Sequence, residues 1–560
     1  MRRIGKLRLR LVLAGTAGLA VVAFVATTSA SPPHSPDLSN VASANPKTVG
    51  YAPSSKLSVE FAGQVVAQGA TPLENPTSMI GFYGYENDVV SPGDPTKPQM
   101  VPTAGPVSNT TEAQKTEPDE NTYLAFRNAL HGPDPDYYYG KRFLYQGHEA
   151  AASVGGVRQG YITRINLDAD QAHRVTLLAT TDSSGAKIST IDGSRWDPWA
   201  RMLILTTENA NAPTYSATPD YPSTVTDVSG ALGRGGYEGV SLDSEGNVII
   251  VEDIGGSNKP GTTARIPHSF VFRYVPDDPG DLDNGKLQVL QVLSNDPDHH
   301  PITEATQTPL HSPDQVALHV YGSSFQTNWV TVHDTNVNGH APFNANTLAR
   351  AADGTTFKRP ENGRLRPGTG FSEFYFDETG DTNATSPENE NEGGWCSIFK
   401  LTQRPGASSG RLSIFYRCDG TRAGFDNTTF LSHDLITFVE DAGDNLHGQR
   451  NALDSGWVFD VTTDYSDPSN HPVRWLAEGR DPSATIDSSF SGSGFKNDGD
   501  NEITGAEVSD GDTSVNGLLG AKNPHLFQDD EGKGNGNREW RFFYTEQHGD
   551  NRTYEVVPAP

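Results

Sequence analysis

From about Tyr138 onward, short runs rich in Val, Ile, Phe and Tyr alternate with clusters of Gly, Asp, Asn and Pro. "GYITRINL", "MLILTTE", "NVIIVED", "SFVFRYV", "LQVLQVL", "FSEFYFDE", "LITFVED", "GWVFDVT" and "WRFFYTE" have the length and composition of strands. Almost no segment carries the 3.6-residue period of an amphipathic helix. The pattern predicts an all-β fold: a sandwich, a barrel or a propeller. Residues 31–137 read differently, being rich in Pro, Ser, Thr, Gly and Asn up to about Glu120, with weak periodicity. They are expected to form a linker and an irregular N-terminal segment, ahead of a strand-built domain over residues 138–557.

An internal repeat chooses among these architectures. "YEGVSLDSEGNVIIVEDIGG" from Tyr237 aligns without a gap with "FDNTTFLSHDLITFVEDAGD" from Phe425. Each copy opens with an acid (Glu238, Asp426) and reaches Val-Glu-Asp, at Val251-Glu252-Asp253 and Val439-Glu440-Asp441. A strand with the order Val-Phe follows both, at Val271-Phe272 and Val458-Phe459. A looser third copy runs from Glu361 to Asp381, and a fourth ends in "FFYTEQHGD". Repeats of one strand cluster each predict propeller blades. Six blades fit residues from about 140 to 557, with five or seven as alternatives. A propeller also answers the length. A chain of 560 residues exceeds one ordinary core, whereas each blade packs only against its neighbours.

Charge changes the picture further. Seventy acidic against 42 basic residues give a net charge of −28. Such a surface repels nucleic acid and anionic lipid, so neither is expected as a partner. It is also a surplus of the hard oxygen donors that calcium prefers. Each repeat puts one acid before a strand and another after the next strand. On inner strands, Glu238, Asp253, Glu361, Asp426 and Asp441 would therefore point into one small volume. Crowded anions are costly unless cations neutralise them. The repeat implies either a metal cluster or a rim of solvated acids.

The first thirty residues read as an export signal. Arg2, Arg3, Lys6, Arg8 and Arg10 precede an apolar run from Leu11 to Ala26, and Thr28-Ser29-Ala30 supplies a cleavage pattern. The general secretory route is expected, with twin-arginine export or a retained anchor as alternatives, and no later segment could span a bilayer. Cys396 and Cys418 flank "TQRPGASSG", and a turn centred on Ala407 puts them opposite each other on a hairpin. In an exported protein they are expected to form a disulfide, with a thiolate metal site as the alternative.

Three other patterns carry less. "NDGDNEITG" has the early acids of a calcium loop, but Ser509 stands where an EF-hand needs its last acid. The Gly-x-Ser-x-Gly match at Gly406 to Gly410 falls in the hairpin turn, not at a nucleophile elbow. "QGHE" and "EQHGDN" each set a His beside an acid near the two ends of the repeat region, where the ring is expected to close.

The ordered segments "QGHE", "DGSRWDPW…LTTEN", "GRGGYEG…VED", "KRPENG…ETGD", "FDN…VED" and "TEQHGDN" resemble the PhoX family of bacterial alkaline phosphatases. The resemblance covers roughly Tyr138 to Val557 and implies a six-bladed propeller hydrolysing phosphate monoesters at an axial iron and calcium site. It implies metal ligation by Glu208, Glu238, Asp253, Glu361 and Asp426, and a phosphate contact by Arg359. Two departures stand out: Asp192 occupies the place of the family's iron-bridging cysteine, and Tyr237 that of a histidine. An oxygen ligand at Asp192 weakens the case for the iron pair and favours calcium or another hard ion. The expected protein is thus a secreted, monomeric, metal-dependent phosphatase with a small phosphate ester as substrate. A non-enzymatic calcium-binding propeller, or a calcium-dependent lactonase using Asn209 and Asn427, are the alternatives.

Overall fold

The computed structural model describes residues 38–41, 55–69, 71–84, 100–102, 109–112, 116–154, 157–478, 502–524, 526, 540–547 and 551–559. The expected export signal, the acids Asp498 and Asp500, and residues His548 to Asp550 lie outside them.

The chain is a six-bladed β-propeller. Its inner strands are Pro118–Ala125, Ser194–Asp197, Tyr237–Leu242, Gly363–Leu365, Phe425–Phe430 and Glu502–Ser509. Each touches the next, and the last touches the first, so they close a ring. Outward from each inner strand the blade runs antiparallel. The two aligned repeats at Tyr237 and Phe425 are the inner strands of the third and fifth blades. They share a detail that alignment alone does not show. Pairing runs Tyr237↔Glu252 then Val240↔Ile250 in one, and Phe425↔Glu440 then Thr428↔Phe438 in the other. Both carry a bulge at the same place, and it contains the acid, Glu238 or Asp426.

The apolar side chains gather between blades. One cluster joins Phe272, Val289, Phe376 and Phe399 of blades three and four. Another joins Tyr375, Ile398, Phe425 and Phe438 of blades four and five, and a third joins Val458, Trp475, Phe542 and Val556 of blades five and six. This arrangement lets a long chain bury its apolar surface without one large centre. Blades three and four are also welded at their outer edges: Phe325–Asp334 pairs with Gly285–Val292 on one side and Ser409–Arg417 on the other, making a single nine-stranded sheet.

The N-terminal segment is less irregular than its composition suggests. Pro118–Ala125 is the inner strand of blade one, Lys56–Leu57 the outer strand of blade five, and Phe61–Ala67 the outer strand of blade six. Phe61–Ala67 pairs with the C-terminal strand Arg552–Pro558, so the two ends of the ring are clasped in one blade. The strand-built region therefore begins before residue 138. "PDENTYLA" lacks apolar alternation because its neighbours across the axis are polar.

Cys396 and Cys418 form a disulfide, with Cα atoms 5.0 Å apart. Their strands Ser397–Thr402 and Ser409–Arg417 pair Ser397↔Arg417, and a bulge between Ile398 and Phe399 absorbs a one-residue offset nearer the turn. Among the described residues no helix is long and apolar enough to cross a membrane.

Candidate metal centre

In an antiparallel hairpin the start of the first strand and the end of the second lie at the same edge. Acids at both places in one blade therefore face the same end of the axis. Blade one supplies Asp119, in the bulge of its inner strand, and Glu149, just after Arg142–His148. Blade two supplies Asp192, ahead of Ser194–Asp197, and Glu208, after Met202–Leu205. Blade three supplies Glu238 and Asp253, blade five Asp426 and Asp441, and blade four Glu361 with Arg359. In blades one, three and five a bulge aims the first acid, Asp119, Glu238 or Asp426, since the extra residue turns a side chain out of the pleat. Blade six carries Gly505 at its bulge, with a backbone angle φ of 66°, and no acid there.

The ligand atoms of Glu208, Glu238, Asp253 and Glu361 all lie within 4.8 Å of one another. Those of Asp119, Glu149 and Asp192 form a second group of the same tightness. Asp426 and Asp441 fall outside both groups but are in electrostatic contact with them, Asp426 with Asp119 and Glu361, and Asp441 with Glu149. Asp119 and Glu149 are the members the sequence reading did not select. "QGHE" drew attention to the neighbourhood of Glu149, but to the wrong residue as well. His148 is buried, stacked on Tyr161 and bonded to Thr163 Oγ1, and burial pushes its pKa down to about 3.

Electrostatics makes the assembly expensive as it stands. Burial first, and neighbouring carboxylates second, push Glu149, Asp192, Glu208, Glu238, Glu361 and Asp426 well above the ordinary carboxylate range. Burial raises Asp119 too, against opposing hydrogen bonds from Thr504 Oγ1 at 2.6 Å and Gln547 Nε2 at 2.7 Å. Asp192 Oδ1 and Glu238 Oε2 are buried with no hydrogen-bond partner among the described residues. Unpaired buried carboxylates of this kind ask for a cation.

One cation is already present. Arg359 Nε lies 2.8 Å from Asp253 Oδ2, and its Nη2 lies 2.6 Å from Asp253 Oδ2 and 3.2 Å from Glu361 Oε1. Its φ is 58°, a strained value for an arginine that persists where the surroundings enforce it. Tyr237, in contrast, turns into the core: its hydroxyl donates to Leu232 O at 2.8 Å and its ring packs on Phe272. Further along the inner strands, Glu120, Arg195, Arg364 and Glu507 form a buried ion network behind the acids, with Arg195 Nη1 2.8 Å from Glu507 Oε2.

Fold and site together define a six-bladed propeller with a carboxylate centre at one end of its axis. No family model and no curated protein matches the sequence. Among solved structures, PhoX of Pseudomonas fluorescens in complex with vanadate, a transition state analogue, is similar at 12% identity and a TM-score of 0.51. That match covers 92% of this chain and 97% of PhoX. A putative gluconolactonase matches at 11% identity and a TM-score of 0.26, over 66% of this chain and 89% of its own. An inactive variant of virginiamycin B lyase from Staphylococcus aureus, with quinupristin, matches at 9% and 0.29, over 79% and 99%. The chain has a PhoX-like fold.

Proposed function

We propose that this protein is a metal-dependent hydrolase of phosphate monoesters, acting at the acid end of its axis and working outside the cell. The observation that carries the reading is the two tight carboxylate groups, largely buried and with unpartnered oxygens on Asp192 and Glu238, contributed by the inner and second strands of blades one to four. Glu208, Glu238, Asp253 and Glu361 would hold one cation; Asp119, Glu149 and Asp192 would hold another, with Asp426 and Asp441 alongside. The donor set is all carboxylate, which suits calcium and offers no thiolate to bridge an iron pair. Bound cations would supply Lewis acidity and neutralise charge on the phosphate.

The chain's own part is placement. Arg359 is the cationic side chain of the group: Asp253 and Glu361 hold its Nε and Nη2, so it would meet a phosphate through its remaining donors, and 22% of its side chain is exposed. The disulfide supports an oxidising compartment, as does the export signal read from the sequence. The test is metal analysis of the purified protein, with turnover of a chromogenic phosphate monoester. Glu361→Ala should lose bound metal, whereas Arg359→Ala should keep it and slow turnover by about 10²-fold. Bound calcium without monoester hydrolysis would hand the site to the non-enzymatic reading, and hydrolysis of a lactone instead would hand it to the lactonase.

A further inference from the structure

Arg265 was not singled out by any sequence pattern. It is half-buried on the loop that follows Asp253, and its guanidinium makes one hydrogen bond, from Nη1 to Gly256 O at 3.4 Å. Among the described residues it has no ion-pair partner. Its guanidinium lies against the backbone of Gly255 and Gly256, just after Asp253, and its electrostatic neighbours are Arg359, Asp253 and Asp381. Burial, and then the charge of Arg359, hold the Arg265 pKa below the usual arginine value.

The fold fixes these two arginines through one buried acid. Asp381 Oδ1 accepts from the Arg265 amide at 2.9 Å and from Lys358 Nζ at 2.9 Å. Lys358 directly precedes Arg359, and its Nζ also meets Glu388 Oε2 at 2.9 Å. The Thr379 amide donates to Arg359 O at 2.9 Å. Asp253 and Glu361 already offset the charge of Arg359, whereas no carboxylate among the described residues lies within ion-pair distance of Arg265, so an anion arriving at the centre would supply its counter-charge.

We infer that Arg265 is a second anion-binding arginine, which with Arg359 receives the dianionic group of a phosphate monoester at the mouth of the centre. The inference rests on the proposed hydrolase reading for its substrate, but not for its anion. A monoester dianion carries charge for both guanidiniums, whereas a diester carries one negative charge and a lactone none. The arginine pair therefore selects monoesters.

The experiment is calorimetric titration of the calcium-loaded full chain with inorganic phosphate. Wild-type protein should bind phosphate, and Arg265→Gln should weaken binding by about tenfold or more, the value of a charged hydrogen bond. A second variant leaves the charge in place: a Cβ at position 255 would lie 2.9 Å from Arg265 Nη1, so Gly255→Ala should push the guanidinium aside. It should also weaken phosphate binding, with melting temperature and calcium content unchanged. Unaltered affinity in Arg265→Gln, or no phosphate binding by wild type, overturns the inference. Arg265-dependent phosphate binding without monoester turnover upholds the arginine pair and rejects the hydrolase reading instead.

Discussion

Asp192 shows how much a single side chain can report. Its Oδ1 is buried without a partner among the described residues, and its neighbours include Asp119, Glu208 and Glu149. Asp192→Asn removes a charge but keeps the shape, so its effect should change sign with the metal. In chelator the variant should be more stable than wild type by about 1–3 kcal/mol, because a costly buried anion is gone. With calcium it should be less stable, because a ligand is gone. Crossing melting curves in chelator and in calcium check this; parallel shifts would remove Asp192 from the centre. The pH dependence follows the same logic. The folded state raises these carboxyls above their unfolded value near 4, so above that pH it holds protons that the unfolded chain releases. Metal-free protein should therefore lose stability as pH rises from about 4 through the raised folded values, and calcium should reverse the trend.

Among the elements, close approach between inner strands sets the precision of the centre. A Cβ at position 193 would lie 2.0 Å from Glu238 O, so only glycine lets blade two meet blade three there. Gly193→Ala should cost about 1–3 kcal/mol in a urea titration and lower calcium content by displacing both Asp192 and Glu238. Normal metal content in that variant would show the centre to be more tolerant than its packing. In blade four, replacing Cys396 and Cys418 together by Ala should cost about 3 kcal/mol in the same assay, given their separation of 22 residues. The second and third strands of the blades were legible because they are buried on both faces and read as apolar runs, such as Val248–Glu252 and Leu435–Glu440. Inner strands were legible only through the repeat. Pro118–Ala125 and Gly363–Leu365 line the axis with Asp119, Glu120 and Arg364, and their polarity hides them. The same cause concealed Asp119 and Glu149. In blades three and five the paired acids stand fifteen residues apart, but the long first hairpin of blade one spreads its pair to thirty.

At the scale of the whole molecule, six blades share one axis but not one stretch of sequence, and the ring depends on its clasp. Deleting Phe61–Ala67 should leave Arg552–Pro558 as a bare sheet edge, and size-exclusion chromatography should then show aggregates. A monomer of unchanged melting temperature would mean that the inner ring holds without it. The clasp also sets a clock. Gln64 and its strand partner Glu555 are separated by 491 positions, so a strand synthesised early waits for one synthesised late. Contacts this distant in sequence slow folding, because chain entropy is lost before the contacts repay it. Where no cation is bound, the acids of five blades approach one another during that wait, and their repulsion would fall on the transition state for closing the ring. Stopped-flow refolding followed by tryptophan fluorescence should therefore accelerate with calcium concentration, and Asp192→Asn should refold faster than wild type in chelator. An ion held at the proposed centre would thus act earlier, as the trigger that lets the circle close.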